Sequence, residues 1–165
     1  MLKNRINRRT ILHGAITLAG TLAAFQIGSA KTQAQPKRKG ILFAVDLQNG
    51  FLTTPESKAV VPKVVDNANQ FHQVWVTRFF NRNPNFSRQV NWNEMVSGPE
   101  TELSPILTPV VNKTFDKPSY SSVSRTLLRA LRRKGITTVA IAGGDTDACV
   151  MATALGLFDA GFETF

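Results

Sequence analysis

The sequence predicts an α/β domain, a three-layer, doubly wound and mostly parallel sheet. Two observations carry that prediction. Ile41-Leu42-Phe43-Ala44-Val45 and Thr138-Val139-Ala140-Ile141-Ala142 are continuous apolar runs of strand length. Such runs suit strands buried on both faces, which is the signature of a parallel sheet. Between and after them lie segments whose apolar residues recur at helical spacing. A strand, a helix and a second strand in that order imply a right-handed crossover.

Composition bounds the rest. The chain has 165 residues and 42% apolar content, enough for one domain with a normal core. Its formal charge of +9 suggests a polyanion partner, but residues 1–34 carry Lys3, Arg5, Arg8, Arg9 and Lys31 with no acid, which leaves the remainder at +4. Arg129, Arg132, Arg133 and Lys134 read as a solvated helix face, so no nucleic-acid partner is expected. A single cysteine excludes an internal disulfide and a cysteine-based zinc site. The two histidines, His13 and His72, leave little for a histidine-based metal site.

Met1 to about Ala34 reads as an export signal: a basic start, an apolar run from Ile11 to Ile27, then Gly28-Ser29-Ala30. Asn7-Arg8-Arg9-Thr10-Ile11-Leu12 is similar to the bacterial twin-arginine signal, with Ile11 in place of the favoured Phe. Delivery to a bacterial periplasm follows, with cleavage after Ala30 or Ala34 and no stable membrane span afterwards. Residues 35–40 form a polar lead-in.

The first strand, 41–45, ends in Asp46-Leu47-Gln48-Asn49-Gly50-Phe51. Val60, Val61, Val64, Val65, Ala68 and Phe71 then follow helical spacing, with Pro62 placed in the first turn. Val74-Trp75-Val76-Thr77 is the next strand. Residues 78–108 are irregular and rich in Asn, Pro and aromatics (Phe79, Phe80, Phe86, Trp92), the kind of excursion that builds pockets. Pro109-Val110-Val111-Asn112-Lys113 reads as a short strand ending in lysine. Ser121 or Ser122 caps a helix bearing Val123, Leu127, Leu128 and Leu131, which stops at Gly135. The strand at 138–142 enters Gly143-Gly144-Asp145-Thr146-Asp147-Ala148-Cys149-Val150. An apolar helical pattern (Val150, Ala154, Leu157, Phe158) then runs to Gly161.

These assignments bring Asp46, Lys113 and Cys149 to the C-terminal edge of one sheet, where ligands bind in open α/β folds. A buried acid or lysine at a strand end is costly unless paired or used. Cys149 in the first turn of a helix is placed to be a thiolate. The chemistry that fits is nucleophilic attack by Cys149, with Asp46 as base and Lys113 as the cation that orients it. Backbone N–H groups at the helix start would receive the oxyanion. A buried structural cysteine is the competing reading of Cys149 alone.

Taken in order, Val45 to Phe51, Lys113 followed by Ser119-Tyr120-Ser121-Ser122, Gly143 to Val150, and Thr153-Ala154 resemble the isochorismatase-like cysteine hydrolases, whose nicotinamidase members share an Asp-Lys-Cys triad. The resemblance covers residues 41–165. It implies a Rossmann-like hydrolase fold, Asp46, Lys113 and Cys149 as catalytic residues, and a thioester-type intermediate. It further implies a cis peptide between Gly144 and Asp145 that turns the amides of Asp145 and Cys149 toward the oxyanion. Phe51 and Trp92 match a substrate pocket. Nicotinamidases of the family bind a metal through an Asp and several His after the second strand; residues 78–95 contain neither. The expectation is therefore a metal-independent, cofactor-free hydrolase of a small amide or related C–N bond. The alternatives are a non-catalytic binding remnant and an isochorismatase-type ether hydrolase. Phe162-Glu163-Thr164-Phe165 reads as the opening of a further strand, after which the family continues into a further helix; the chain is expected to be C-terminally short, with an edge that a second copy could cover in a homo-oligomer.

Overall fold

The computed structural model describes residues 40–165. The expected export signal, the lead-in up to residue 39 and His13 lie outside the described residues. Strands β1 (Ile41–Val45), β2 (Val74–Phe79), β3 (Lys113–Lys117), β4 (Thr138–Gly143) and β5 (Glu163–Thr164) form one sheet in the order β3-β2-β1-β4-β5. All four pairings are parallel. The helices are α1 (Pro55–Ala68), α2 (Pro84–Val90), α3 (Arg125–Arg133) and α4 (Met151–Asp159). The chain winds outward from β1 to β3, then restarts on the other side of β1 with β4. The switch point of this doubly wound sheet lies between β1 and β4.

The alternation of β1 divides the core into two layers. Leu42 and Ala44 pack with Val61 and Val64 of α1, while Ile41, Phe43 and Val45 pack with Leu127 and Leu131 of α3 and Leu157 of α4. All five residues of β1 are buried, as a central strand covered on both faces requires.

Several boundaries differ from those read in the sequence. Thr54 caps α1 in a reciprocal capping box with Ser57, and Pro55 takes the first turn. Pro62 therefore lies inside the helix, on its exposed side, and not in the first turn. The cap of α3 is Ser124, whose hydroxyl accepts from the Leu127 N–H, rather than Ser121 or Ser122. Gly135 does end that helix, with φ of 64°. The largest difference concerns β3. Thr108–Val110 is a short helical turn, and Val110 and Val111 pack against the α1-side core. The strand begins, not ends, at Lys113 and runs to Lys117. Lys-Thr-Phe-Asp-Lys lacks the apolar run of a central strand because in the described sheet it is an edge.

The last strand is present as the two residues Glu163–Thr164 beside β4, and the Ile141 N–H donates to the Phe165 carbonyl. Among the described residues no helix is long and apolar enough to cross a membrane.

Candidate active site

Asp46 follows the last residue of β1 and has a left-handed backbone, φ 55°. Asp tolerates that region better than most residues, because its short polar side chain bonds locally. Here Thr77 on the neighbouring strand supplies the bonds. Its hydroxyl oxygen accepts from the Asp46 N–H at 3.2 Å and its O–H donates to Asp46 Oδ1 at 2.7 Å. Gln48 pins the following turn. Its amide donates to the carbonyls of Phe79 (3.0 Å) and Thr101 (2.7 Å), and its Oε1 accepts from the Phe79 N–H at 2.6 Å. Both Thr77 and Gln48 are fully buried.

The lysine that meets Asp46 is Lys117. Its ammonium lies 2.6 Å from Asp46 Oδ2, 3.5 Å from Cys149 Sγ, and donates to the carbonyls of Ser119 (2.7 Å) and Tyr120 (2.9 Å). Asp46, Lys117 and Cys149 are each at most 5% exposed. Lys113, the lysine expected from the sequence, is at the opposite end of β3. It is exposed, with its ammonium over the rings of Trp75 (5.2 Å) and Phe115 (5.1 Å). The correction has a simple cause. A five-residue strand carries its two ends more than ten ångströms apart, at about 3.3 Å per residue, so only the lysine at the C-terminal end reaches the sheet edge that holds Asp46. A signal was present in the sequence: Lys117 precedes Pro118, and a strand running from 113 would end there.

Cys149 sits in a π-helical turn, Thr146–Val150, that precedes α4. Gly143 makes this possible. A Cβ there would stand 2.6 Å from Val150 Cγ2 and 2.7 Å from the Val45 carbonyl oxygen, so only glycine lets the turn close onto β1. No cis peptide bond occurs among the described residues, so the expected cis link between Gly144 and Asp145 is absent. A trans link avoids the cost of about 3–4 kcal/mol that a non-proline cis bond carries. Ser122 and Thr153 join the loop after β3 to α4: the Ser122 N–H donates to Thr153 Oγ1 (3.1 Å), which itself donates to Ser122 Oγ (3.0 Å).

The thiol is not the ready thiolate that its helix position suggested. Burial first, then the negative charge of Asp46, push the Cys149 thiol up to about 12, against the opposing pull of Lys117. Burial and the Asp46 charge thus favour the neutral thiol beside the ion pair. Asp46 Oδ2 faces the Lys117 ammonium at 2.6 Å, a charge-assisted contact that holds the carboxylate beside the sulfur.

Above the sulfur is a cavity of about 240 Å³, walled by Phe51, Phe79, Phe86, Trp92 and Tyr120 and reached by Asp145. The expected pocket residues Phe51 and Trp92 thus meet, at 6.1 Å between ring centroids. Phe79 and Phe86, aromatics of the excursion at 78–108, join them, and so does Tyr120, which nothing in the sequence marked as a pocket residue. A metal site of the nicotinamidase type does not fit these residues. His72 is exposed and beside Gly40 at the N-terminal end of the sheet, and no group of three or more His, Cys, Asp or Glu among the described residues could hold a metal.

A cysteine, an acid and a lysine thus converge at the switch point of a parallel α/β sheet. A family model described as the isochorismatase domain matches residues 40–165, and the chain belongs to that family. N-carbamoylsarcosine amidase from Thermoplasma acidophilum superposes with a TM-score of 0.66 at 26% identity, over 77% of this chain and 80% of that one. A nicotinamidase/pyrazinamidase of Acinetobacter baumanii gives 0.65 at 24% identity, over 78% and 81%. A cysteine hydrolase of Pseudomonas syringae gives 0.64 at 19% identity, over 75% and 68%. Among curated proteins no sequence matches significantly.

Proposed function

We propose that the protein hydrolyses a small amide or related C–N bond without a metal, through Cys149, Asp46 and Lys117. The observation that carries this reading is the buried ion pair of Lys117 and Asp46 in contact with the only cysteine of the chain, at the floor of an apolar cavity. A buried ion pair contributes little net stability, and a hydrophobic replacement is often as good. Its placement here is better explained by chemistry.

Because the thiol rests protonated, Asp46 removes its proton as the sulfur attacks the carbonyl carbon. The C–S bond forms, the carbonyl π pair moves to oxygen, and the proton passes to Asp46 Oδ2. Backbone amides around Gly144, Asp145 and Cys149 are the proposed oxyanion donors. Collapse of the intermediate expels the nitrogen, which takes the proton back from Asp46 and leaves as ammonia or amine. Asp46 then deprotonates a water that attacks the thioester, and the thiolate leaves and is reprotonated, releasing a carboxylic acid. Lys117 holds the carboxylate in place throughout and balances its charge. N-carbamoylsarcosine amidase and nicotinamidase among the structural neighbours support amide chemistry.

The test is ammonia release from a panel of small carboxamides. Wild-type protein turns over at least one of them, and Cys149→Ala, folded by circular dichroism, turns over none. Undiminished turnover by Cys149→Ala ends this reading. The proposed route of the chain to an exported compartment is tested separately, by locating the mature protein in cell fractions.

A further inference from the structure

We propose that the cavity selects small carboxamides bearing a cationic ammonium group, seated against the aromatic walls with Asp145 as its counter-ion. This rests on the amide-hydrolase reading and goes beyond it by naming the substrate class.

The charges of the site lead there. Asp46 and Lys117 cancel as an ion pair, and Cys149 rests neutral. Asp145 is then the one charged residue lining the cavity, and it forms no ion pair among the described residues. Asp145 is an exposed residue, yet its carboxyl is held above the usual range, first by desolvation, then by the hydrogen bond and charge of Asp147 and the charge of Asp46, with Lys117 pulling the other way. A cation beside Asp145 opposes the negative charges of Asp147 and Asp46, as Lys117 already does; an anionic substrate adds to them.

The walls suit the same ligand. Ring faces attract cations within about 6 Å of their centroids, most strongly when water is excluded. This cluster already does so, since the Lys117 ammonium lies 5.2 Å over the Phe79 ring. Phe51, Phe86 and Trp92 each pack on Phe79 and extend the aromatic lining of the cavity. At about 240 Å³ the cavity falls below the range of drug-sized sites, roughly 300–1,000 Å³, so the substrate is small. Cys149 and Asp145 line the same cavity as these rings, so a substrate whose carbonyl carbon meets Sγ has its substituent in the space they share.

The test compares trimethylammonioacetamide with its neutral carbon isostere, tert-butylacetamide, which has the same shape. The readout is protection of Cys149 from alkylation by iodoacetamide in the full chain, a measure that needs no turnover. The cation is expected to half-protect at a concentration about tenfold or more below that of the isostere. Asp145→Asn should lower the ratio severalfold, leaving only the preference of the aromatic walls, and Asp145→Glu should retain it. Equal protection by the two amides, protection by neither, or an unchanged ratio in Asp145→Asn overturns the inference. Equal hydrolysis of both by wild-type protein would do the same while leaving the amide-hydrolase reading intact.

Discussion

Lys117 and Lys113 are four positions apart on one strand, yet the energetic consequences of losing them differ sharply. Lys117→Ala leaves Asp46 buried and unpaired, and removing one partner of such a pair costs about 3–5 kcal/mol. Urea denaturation should show a loss of that size, with turnover abolished. Lys113→Ala removes only an exposed ammonium over two rings, worth about 1 kcal/mol or less, and turnover should persist. The converse result, with Lys113 essential, would contradict the geometry. Cys149 offers a second test at this scale. Its folded thiol binds the proton more tightly than an unfolded one, so that stabilisation is present below the ordinary thiol range. It is lost as pH rises toward about 12. Alkylation of substrate-free enzyme should accordingly keep rising with pH through the ordinary thiol range. A plateau near neutrality would mean a preformed thiolate.

At the scale of elements, the site depends on how closely the π-helical turn approaches β1 and how firmly α4 is tied to the loop after β3. Gly143→Ala forces a methyl between the Val150 side chain and the Val45 carbonyl, and overpacking of this kind costs about 1–3 kcal/mol. Because the displaced turn carries Cys149, activity should fall by far more than stability does, which a thermal melt and a turnover assay on the same preparation will separate. Thr153→Val strips the acceptor from the buried Ser122 N–H. The expected cost is about 1–3 kcal/mol, read as a lowered urea midpoint. Thr153 was visible in the sequence as part of the family resemblance. Its task as a clasp between the loop after β3 and α4 was not, because the bond joins residues 31 positions apart.

Over the whole molecule, the sheet is the structural support and its switch point is the site. Phe43 lies in the central strand, fully buried, and packs with α3 and α4 residues beside the site. Phe43→Ala should cost about 3–5 kcal/mol in chemical denaturation, with a cavity that no surface loop can fill. The cation selectivity proposed for the pocket also belongs to this scale, since its walls come from the turn after β1, from β2, from α2 and the turn after it, and from the loop after β3.

Much of this architecture can be read from the chain alone, because it rests on local patterning. Ile41–Val45 is uniformly apolar and fully buried, Thr138–Ala142 is the half-buried strand beside it, and the helices between them force parallel pairing. Asp46 and Cys149 were legible from the same patterning: Asp46 directly follows the first strand, and Cys149 lies where the turn after β4 gives way to a helix. Lys117 was not. Its strand is polar, being an edge in the described sheet, while the neighbouring Pro109-Val110-Val111 imitates a strand and packs instead as a helical turn. Which lysine joins Asp46 therefore depends on the register of β3 against β2, a non-local pairing. The protonation of Cys149 was decided in the same way. Helix position argues for a thiolate, but burial and the charge of Asp46 outweigh it, and both exist only once three distant strand ends have been brought into contact.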